Sequence, residues 1–171
     1  MNLRTYYRAL LRRFGSQRWW PAESPFEVMV GAILTQNTNW SNVEKAIANL
    51  KSHDLLDPER LHAVDTATLA LLIRPTGYFN VKAARLKTYV AWFWERYGGN
   101  VRRMAAQPME QLREELLEIK GIGQETADSI LLYALDMPIF VVDAYTNRIF
   151  SRHHLVPEES SYEEMQDYAS G

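Results

Sequence analysis

Apolar residues recur at three- and four-residue intervals along nearly the whole chain, a pattern that predicts helices. Leu3, Tyr6, Tyr7, Leu10, Leu11 and Phe14 form one such stripe, Arg4, Arg8 and Arg12 share another face, and Gly15 closes the segment. Ser24-Pro25 reads as a helix start, with serine as the cap and proline at the first helical position. The run from Phe26 to Leu34 is almost unbroken in its apolarity and predicts a central, buried helix. A polar break, Thr35-Gln36-Asn37-Thr38-Asn39, precedes a helix over Trp40 to Leu50, one or two short helices over Pro58 to Ile73, and a turn at Arg74-Pro75-Thr76-Gly77. Longer helices are expected from Tyr78 to Tyr97, from Pro108 to Ile119 and from Gln124 to Leu135. Met137 to Val142 reads as a short, strand-like apolar run; Asp143 heads a helix to about His153, and a last segment starts near Ser160. No tandem repeat or low-complexity linker interrupts the pattern. The expected class is all-α, in two helical subdomains: a central one over residues 22–135 and a second from residues 1–21 plus 136–171.

Composition narrows the chemistry. The chain has 171 residues, 47% of them hydrophobic, enough for a core without metal or disulfide staples. It has no cysteine, which excludes disulfides, a thiol nucleophile, and Cys-ligated zinc or iron–sulphur clusters within this chain. No segment is apolar for long enough to span a membrane, and Met1-Asn2-Leu3-Arg4-Thr5 lacks a signal peptide's apolar run, so a soluble, cytoplasmic monomer is expected. A formal charge of −2 means that any contact with nucleic acid rests on a local site. Adjacent His153 and His154 would point about 100° apart on a helix and do not make a metal pair, and no acidic cluster demands a divalent ion.

Two segments carry candidate chemistry. In Leu116-Leu117-Glu118-Ile119-Lys120-Gly121-Ile122-Gly123-Gln124-Glu125-Thr126-Ala127, a glycine-flanked connector joins two apolar helical stretches. Glycine tolerates positive φ and close approach of another backbone. The N–H groups of such a hairpin and of the next helix's first turn are left to bind a phosphate, which suits a chain with little basic excess. The same pattern also serves as an ordinary helix cap and turn in any bundle. Downstream, Phe140-Val141-Val142-Asp143-Ala144-Tyr145-Thr146 leads an apolar run into an aspartate at a helix start. That aspartate reads as a helix N-cap, as a carboxylate held at the mouth of a cleft, or as both.

Taken together, the hairpin and the Val-Val-Asp that follows it resemble the endonuclease III superfamily of helix-hairpin-helix DNA glycosylases. Ile33-Leu34-Thr35-Gln36-Asn37-Thr38 is similar to the family's glutamine-bearing loop, and Gly77-Tyr78-Phe79-Asn80-Val81-Lys82-Ala83 to its wedge loop. The resemblance covers roughly residues 5–155 in the expected order. It implies two helical layers flanking a DNA-binding cleft, with the hairpin over residues 112–134 holding the backbone of double-stranded DNA. Lys120, Gly121, Ile122, Gly123, Gln124, Glu125 and Thr126 would make that contact, with Asn80 and Lys82 supporting the wedge loop or touching phosphate. Gln36 and Tyr78 would fill or wedge the gap left by a flipped nucleotide, and Asp143 would be the catalytic carboxylate. A monovalent cation among hairpin carbonyls is implied as well.

Two departures shape the expected activity. Bifunctional members carry a lysine in the second helix's first turn, where this chain has Glu125, and a carboxylate cannot form the imine that cleaves the strand. Many relatives also continue into further helices and a four-cysteine iron–sulphur loop where this chain reads Tyr168-Ala169-Ser170-Gly171, so the second subdomain is expected to be truncated and its activity impaired. Glu125, Trp19-Trp20-Pro21 and the Thr-Gln-Asn-Thr loop look most like the 3-methyladenine DNA glycosylase III subgroup. That likeness implies a flipped base sandwiched by Trp20 and Trp40. An indole face attracts a cationic alkylated purine by ~0.5–2 kcal/mol. Excision of oxidised or mispaired bases, and a non-catalytic DNA-binding module, are the alternatives.

Overall fold

The computed structural model describes residues 3–17 and 19–171, and among these every regular element is helical. They divide into a larger unit, Glu23–Val141, and a smaller one built from Met1–Ala22 and Val142–Gly171. The expected boundary at residue 135 falls instead after Val141. Residues 136–141 stay with the larger unit, where Met137 N–H bonds back to Leu131 O at 3.0 Å. The apolar run 137–142 forms no strand.

The larger unit is organised around α2, Pro25–Leu34, in which every residue from Phe26 to Leu34 is buried. Ser24 caps it through a 3.1 Å bond to Glu27 N–H, as the Ser-Pro pair predicts. Helices α3 (Trp40–Ser52), α4 (Pro58–Ala63) and α5 (Thr66–Leu72) follow, capped by Asn39, Asp57 and Asp65. A single 3₁₀ turn at Arg74–Thr76 leads into α6, Phe79–Tyr97, the longest helix, which packs on α2, α4 and α5. A short helix that periodicity alone does not reveal, α7 at Val101–Ala105, begins at a cap formed by Asn100. Then come α8 (Met109–Glu118) and α9 (Gln124–Ser129), and α9 widens into a π turn over Ile130–Ala134 that packs against α2.

The smaller unit holds α1 (Leu3–Phe14), α10 (Ala144–Arg152) and α11 (Tyr162–Ser170). Val142, Phe150 and Met165 are its buried cluster, with Leu3, Leu155 and Tyr162 against it. The stripe expected to bury α1 is only half-buried at Leu3 and Tyr6, while Tyr7, Leu10, Leu11 and Phe14 are exposed. Glu164 closes a capping box with Ser161 at the start of α11.

One core group is out of place by chemistry. Tyr89 is fully buried between Phe93 and Trp92, and its hydroxyl has no hydrogen-bond partner among the described residues. Burial also pushes that phenol's pKa upward. An unsatisfied buried hydroxyl costs about 1–3 kcal/mol. Tyr89→Phe is therefore expected to leave the melting temperature unchanged or raise it; a clear drop in thermal denaturation would mean that the hydroxyl is in fact satisfied.

Candidate functional site

The hairpin joins α8 to α9, and three features shape it. First, the two helices are pinned together by Arg113, whose Nε and Nη2 donate to the two carboxylate oxygens of the fully buried Asp128 at 2.7 and 3.1 Å. Second, Gly121 sits at φ +94, and a Cβ there would meet Arg85 Cγ and Cδ at 2.6 Å. Third, the peptide between Gly121 and Ile122 is held at both ends: Ile122 N–H donates to Ile119 O at 3.0 Å, and Gly121 O accepts from Gln36 Nε2 at 3.0 Å. The flanking N–H groups of Gly121 and Gly123 make no backbone hydrogen bond among the described residues, and Gly123 offers α9 no side-chain cap. Loop N–H groups without a backbone partner suit an anion.

The expected contact residues separate by exposure. Lys120, Gly123 and Glu125 are exposed and Gln124 half-buried, whereas Ile122 and Thr126 are buried at 5% and 7%. Ile122 therefore anchors the hairpin from inside, and only its backbone can serve a ligand. Thr126 turns its hydroxyl inward to accept from Gln36 Nε2 at 3.0 Å.

Gln36, expected to fill or wedge the gap left by a flipped nucleotide, has its amide engaged within the protein. Both donors of its amide are spent on Gly121 O and Thr126 Oγ1, and its oxygen accepts from Arg85 Nη1 at 2.6 Å. The expectation that Lys82 touches phosphate is corrected. Its side chain is 2% exposed, and Nζ donates at 2.8 Å to Leu34 O and at 2.8 Å to Thr76 O. These are the last carbonyls of α2 and of the 3₁₀ turn, so Lys82 caps two helix ends, where a cation is favoured. The supporting role weighed for it is what the geometry displays. Desolvation, and then the nearby Arg85 charge, push its pKa down to about 8.

The wedge loop emerges from that support. Gly77 (φ +68) turns the chain, and Tyr78 then sits in the left-handed region at φ 45 with its ring 74% exposed. A bulky residue held there stores about 1–3 kcal/mol of strain, of the kind that collects at functional turns. Asn80 is exposed at the start of α6, and Arg74 lies over the Phe79 ring at 5.9 Å. Trp40 opens α3 half-buried, behind its cap Asn39. Trp20 belongs to the smaller unit, half-buried, with its ring 6.2 Å from that of the exposed Trp19.

Also in the smaller unit, Asp143 caps α10. Its Oδ1 accepts from Thr146 N–H at 2.7 Å and from Thr146 Oγ1 at 2.8 Å, which leaves Oδ2 without a hydrogen bond among the described residues. The preceding Val142 N–H is held by Tyr162 Oη at 3.3 Å. A half-exposed carboxylate is thus fixed in direction through one oxygen while presenting the other. Sequence reasoning missed Arg85, whose partners lie far apart in the chain and leave no local signal.

No cluster of three His, Cys, Asp or Glu able to hold a metal occurs among the described residues. The hairpin carbonyls of Ile119 and Gly121 each accept one hydrogen bond and keep a second lone pair, and such neutral donors fit a monovalent cation. No helix among the described residues is long and apolar enough to cross a membrane.

Comparison with known proteins gives a consistent result. The family model for HhH-GPD superfamily base excision DNA repair proteins matches residues 30–170. A protein of Methanocaldococcus jannaschii, provisionally named a DNA repair glycosylase, is 53% identical over 163 residues, covering 94% of this chain and 74% of that protein. Endonuclease III of Thermotoga maritima is 30% identical over 145 residues, 85% of this chain and 63% of that enzyme. Among solved structures, the H. pylori 3-methyladenine DNA glycosylase bound to 1,N6-ethenoadenine superposes with a TM-score of 0.84 at 31% identity, covering 98% of this chain and 78% of that one. An endonuclease III–DNA complex has a TM-score of 0.83 at 22% identity, covering 98% and 74%, and shares the fold.

Two predictions test the local geometry. Lys82→Met orphans two buried carbonyls and should cost about 1–3 kcal/mol for each one left unpaired. Because the folded pKa is depressed, the unfolded chain binds the extra proton between about pH 8 and the ordinary lysine value of 10.5. The wild type should therefore gain stability over the variant as pH rises through that window, by at most about 1.4 kcal/mol per pH unit. Denaturant titrations from pH 7 to 10 check the sign. Gly121→Ala should cost about 1–3 kcal/mol through its φ and the Arg85 clash. Gly123→Ala, with nothing within 4 Å of its Cβ, should cost under about 1 kcal/mol. Equal losses in thermal melts would dismiss the steric account.

Proposed function

The chain belongs to the HhH-GPD superfamily of base excision DNA repair proteins, and from that premise we propose that it is a monofunctional DNA glycosylase that hydrolyses the N-glycosidic bond of alkylated, 3-methyladenine-type purines. The observation that carries the reading is Asp143, a carboxylate braced through one oxygen and open at the other. Support for an alkylated substrate comes from the 31% identity to the H. pylori 3-methyladenine glycosylase and from the tryptophans Trp20 and Trp40.

Loop N–H groups of the hairpin hold a DNA phosphate, with Lys120 adding charge, and a monovalent cation on the carbonyls of Ile119 and Gly121 would add positive potential there. The damaged nucleotide is flipped out of the stack, at a cost of a few kcal/mol. Tyr78, exposed on its strained turn, wedges the duplex, and Asn80 braces the loop. Trp20 and Trp40 stack on the cationic base. The bond from the sugar's C1′ to the base nitrogen breaks, and its electron pair leaves with the base, which departs neutral. Asp143 stabilises the oxocarbenium-like sugar through Oδ2 and takes the proton of the attacking water, whose oxygen bonds to C1′. Glu125 stands where a Schiff-base lysine would be needed, so the product is an intact strand with an abasic site.

The test is release of free base from duplex DNA treated with a methylating agent. Wild type should release 3-methyladenine. Asp143→Asn should lose activity by roughly 100-fold or more, the scale of a lost transition-state charge partner. Its melting temperature should hardly change, because asparagine caps a helix as well as aspartate. The strand should stay uncut until alkali is added. Binding of methylated duplex with no base released would sink the proposal.

A further inference from the structure

Arg85 is a half-buried cation on α6 with no acidic partner among the described residues, and its contacts are directed at the hairpin. Its Nη1 donates to Gln36 Oε1 at 2.6 Å. Its Cγ and Cδ fill the space that a Cβ on residue 121 would occupy. Gln36, fixed by that bond, turns its amide NH₂ onto Gly121 O and Thr126 Oγ1, both at 3.0 Å. A free carboxamide can rotate and exchange its ends. Here the cation demands the oxygen on one side, so the nitrogen must face the hairpin.

We propose that Arg85 is a positioning residue for the DNA-gripping hairpin, acting through Gln36. The inference rests on the reading that the hairpin holds the DNA backbone. The peptide joining Gly121 to Ile122 has its oxygen drawn inward by Gln36 and its N–H drawn inward to Ile119 O. With that plane fixed, the N–H groups of Gly121 and Gly123 on either side, which make no backbone hydrogen bond among the described residues, keep their place in the hairpin for a ligand. Without Arg85, Gln36 loses its orientation, the Gly121 carbonyl loses its partner and the plane turns. In the DNA-free protein Gln36 thus serves as a brace between α6 and the hairpin. The brace also links the polar loop after α2 to the hairpin.

The experiment uses Arg85→Met, Gln36→Leu, the double variant, and Gln36→Glu. The last keeps the pairing with Arg85 while removing the amide donors, and so guards against simple misfolding. Two readouts are taken: affinity for an undamaged duplex by fluorescence anisotropy, and amide hydrogen exchange at Ile122 by NMR in the DNA-free protein. Each single variant, Gln36→Glu included, should weaken duplex binding roughly tenfold, the scale of one lost charge-assisted hydrogen bond. The double variant should be no worse than either single one, because both break the same brace. Ile122 exchange should speed up roughly tenfold in all of them, with the remaining amides of the larger unit unchanged. Unchanged exchange at Ile122, or losses of affinity that multiply in the double variant, would overturn the proposal. Wild-type protein that does not bind duplex at all refutes the DNA-gripping reading instead, while the exchange measurement still decides the brace.

Discussion

A buried ammonium group needs dipoles to replace its water, and the arrangement around Lys82 shows how much structure such a need can organise. Its two acceptors are Leu34 O and Thr76 O, each the last carbonyl of a helical segment and each left without an intrahelical partner. One turn further along α6, Arg85 reaches Gln36, and Lys87 donates to the carbonyls of Leu61, His62 and Val64 at the end of α4. Three cations on one helix thereby tie down the ends of α2 and α4, the 3₁₀ turn and the hairpin. Desolvation lowers the pKa of both lysines, the cost the fold bears for using charge as internal cement. The polar loop after α2 and the turn that bears Tyr78 both spring from these tied ends.

Several of the candidate residues and loops stand at helix termini. The hairpin is the gap between α8 and α9, Trp40 opens α3, Tyr78 precedes α6, and Asp143 precedes α10. Helix ends offer unpaired N–H groups, fixed directions and exposure without long side chains. A chain of net charge −2 can therefore face a polyanion, since the attraction comes from placed dipoles more than from summed charge. At Asp143 the capping bond and the free oxygen belong to one carboxylate, so the group that starts the helix is aimed by the helix it starts.

How much of this could be read from the residues depends on how local each signal is. Ser24-Pro25 and the apolar run behind it gave α2 its start and its burial, and the spacing through Ile119 and Gln124 bracketed the hairpin within a residue or two. Asp143 with Thr146 three positions on is a capping pattern legible in four letters. Short α7 was not legible, since five residues are too few to show a period. For Lys82 the residues left support of the loop and contact with phosphate both open, because a lysine in a loop-like motif is normally exposed; only the fold reveals the two carbonyls that draw it inward. The bonds of Gln36 were not legible for a similar reason, since its partners Arg85, Gly121 and Thr126 lie far along the chain.

The smaller unit is built to a different standard. Among the described residues only Val142, Phe150 and Met165 are buried there, and α1 buries none of its side chains, whereas α2 alone buries nine. Local opening free energy follows the apolar surface that a region hides. Warming should therefore loosen the segment bearing Asp143 long before it disturbs the lysine-tied core. The ceiling on the protein's working temperature then belongs to its least-buried part, and a well-tied larger unit cannot raise it.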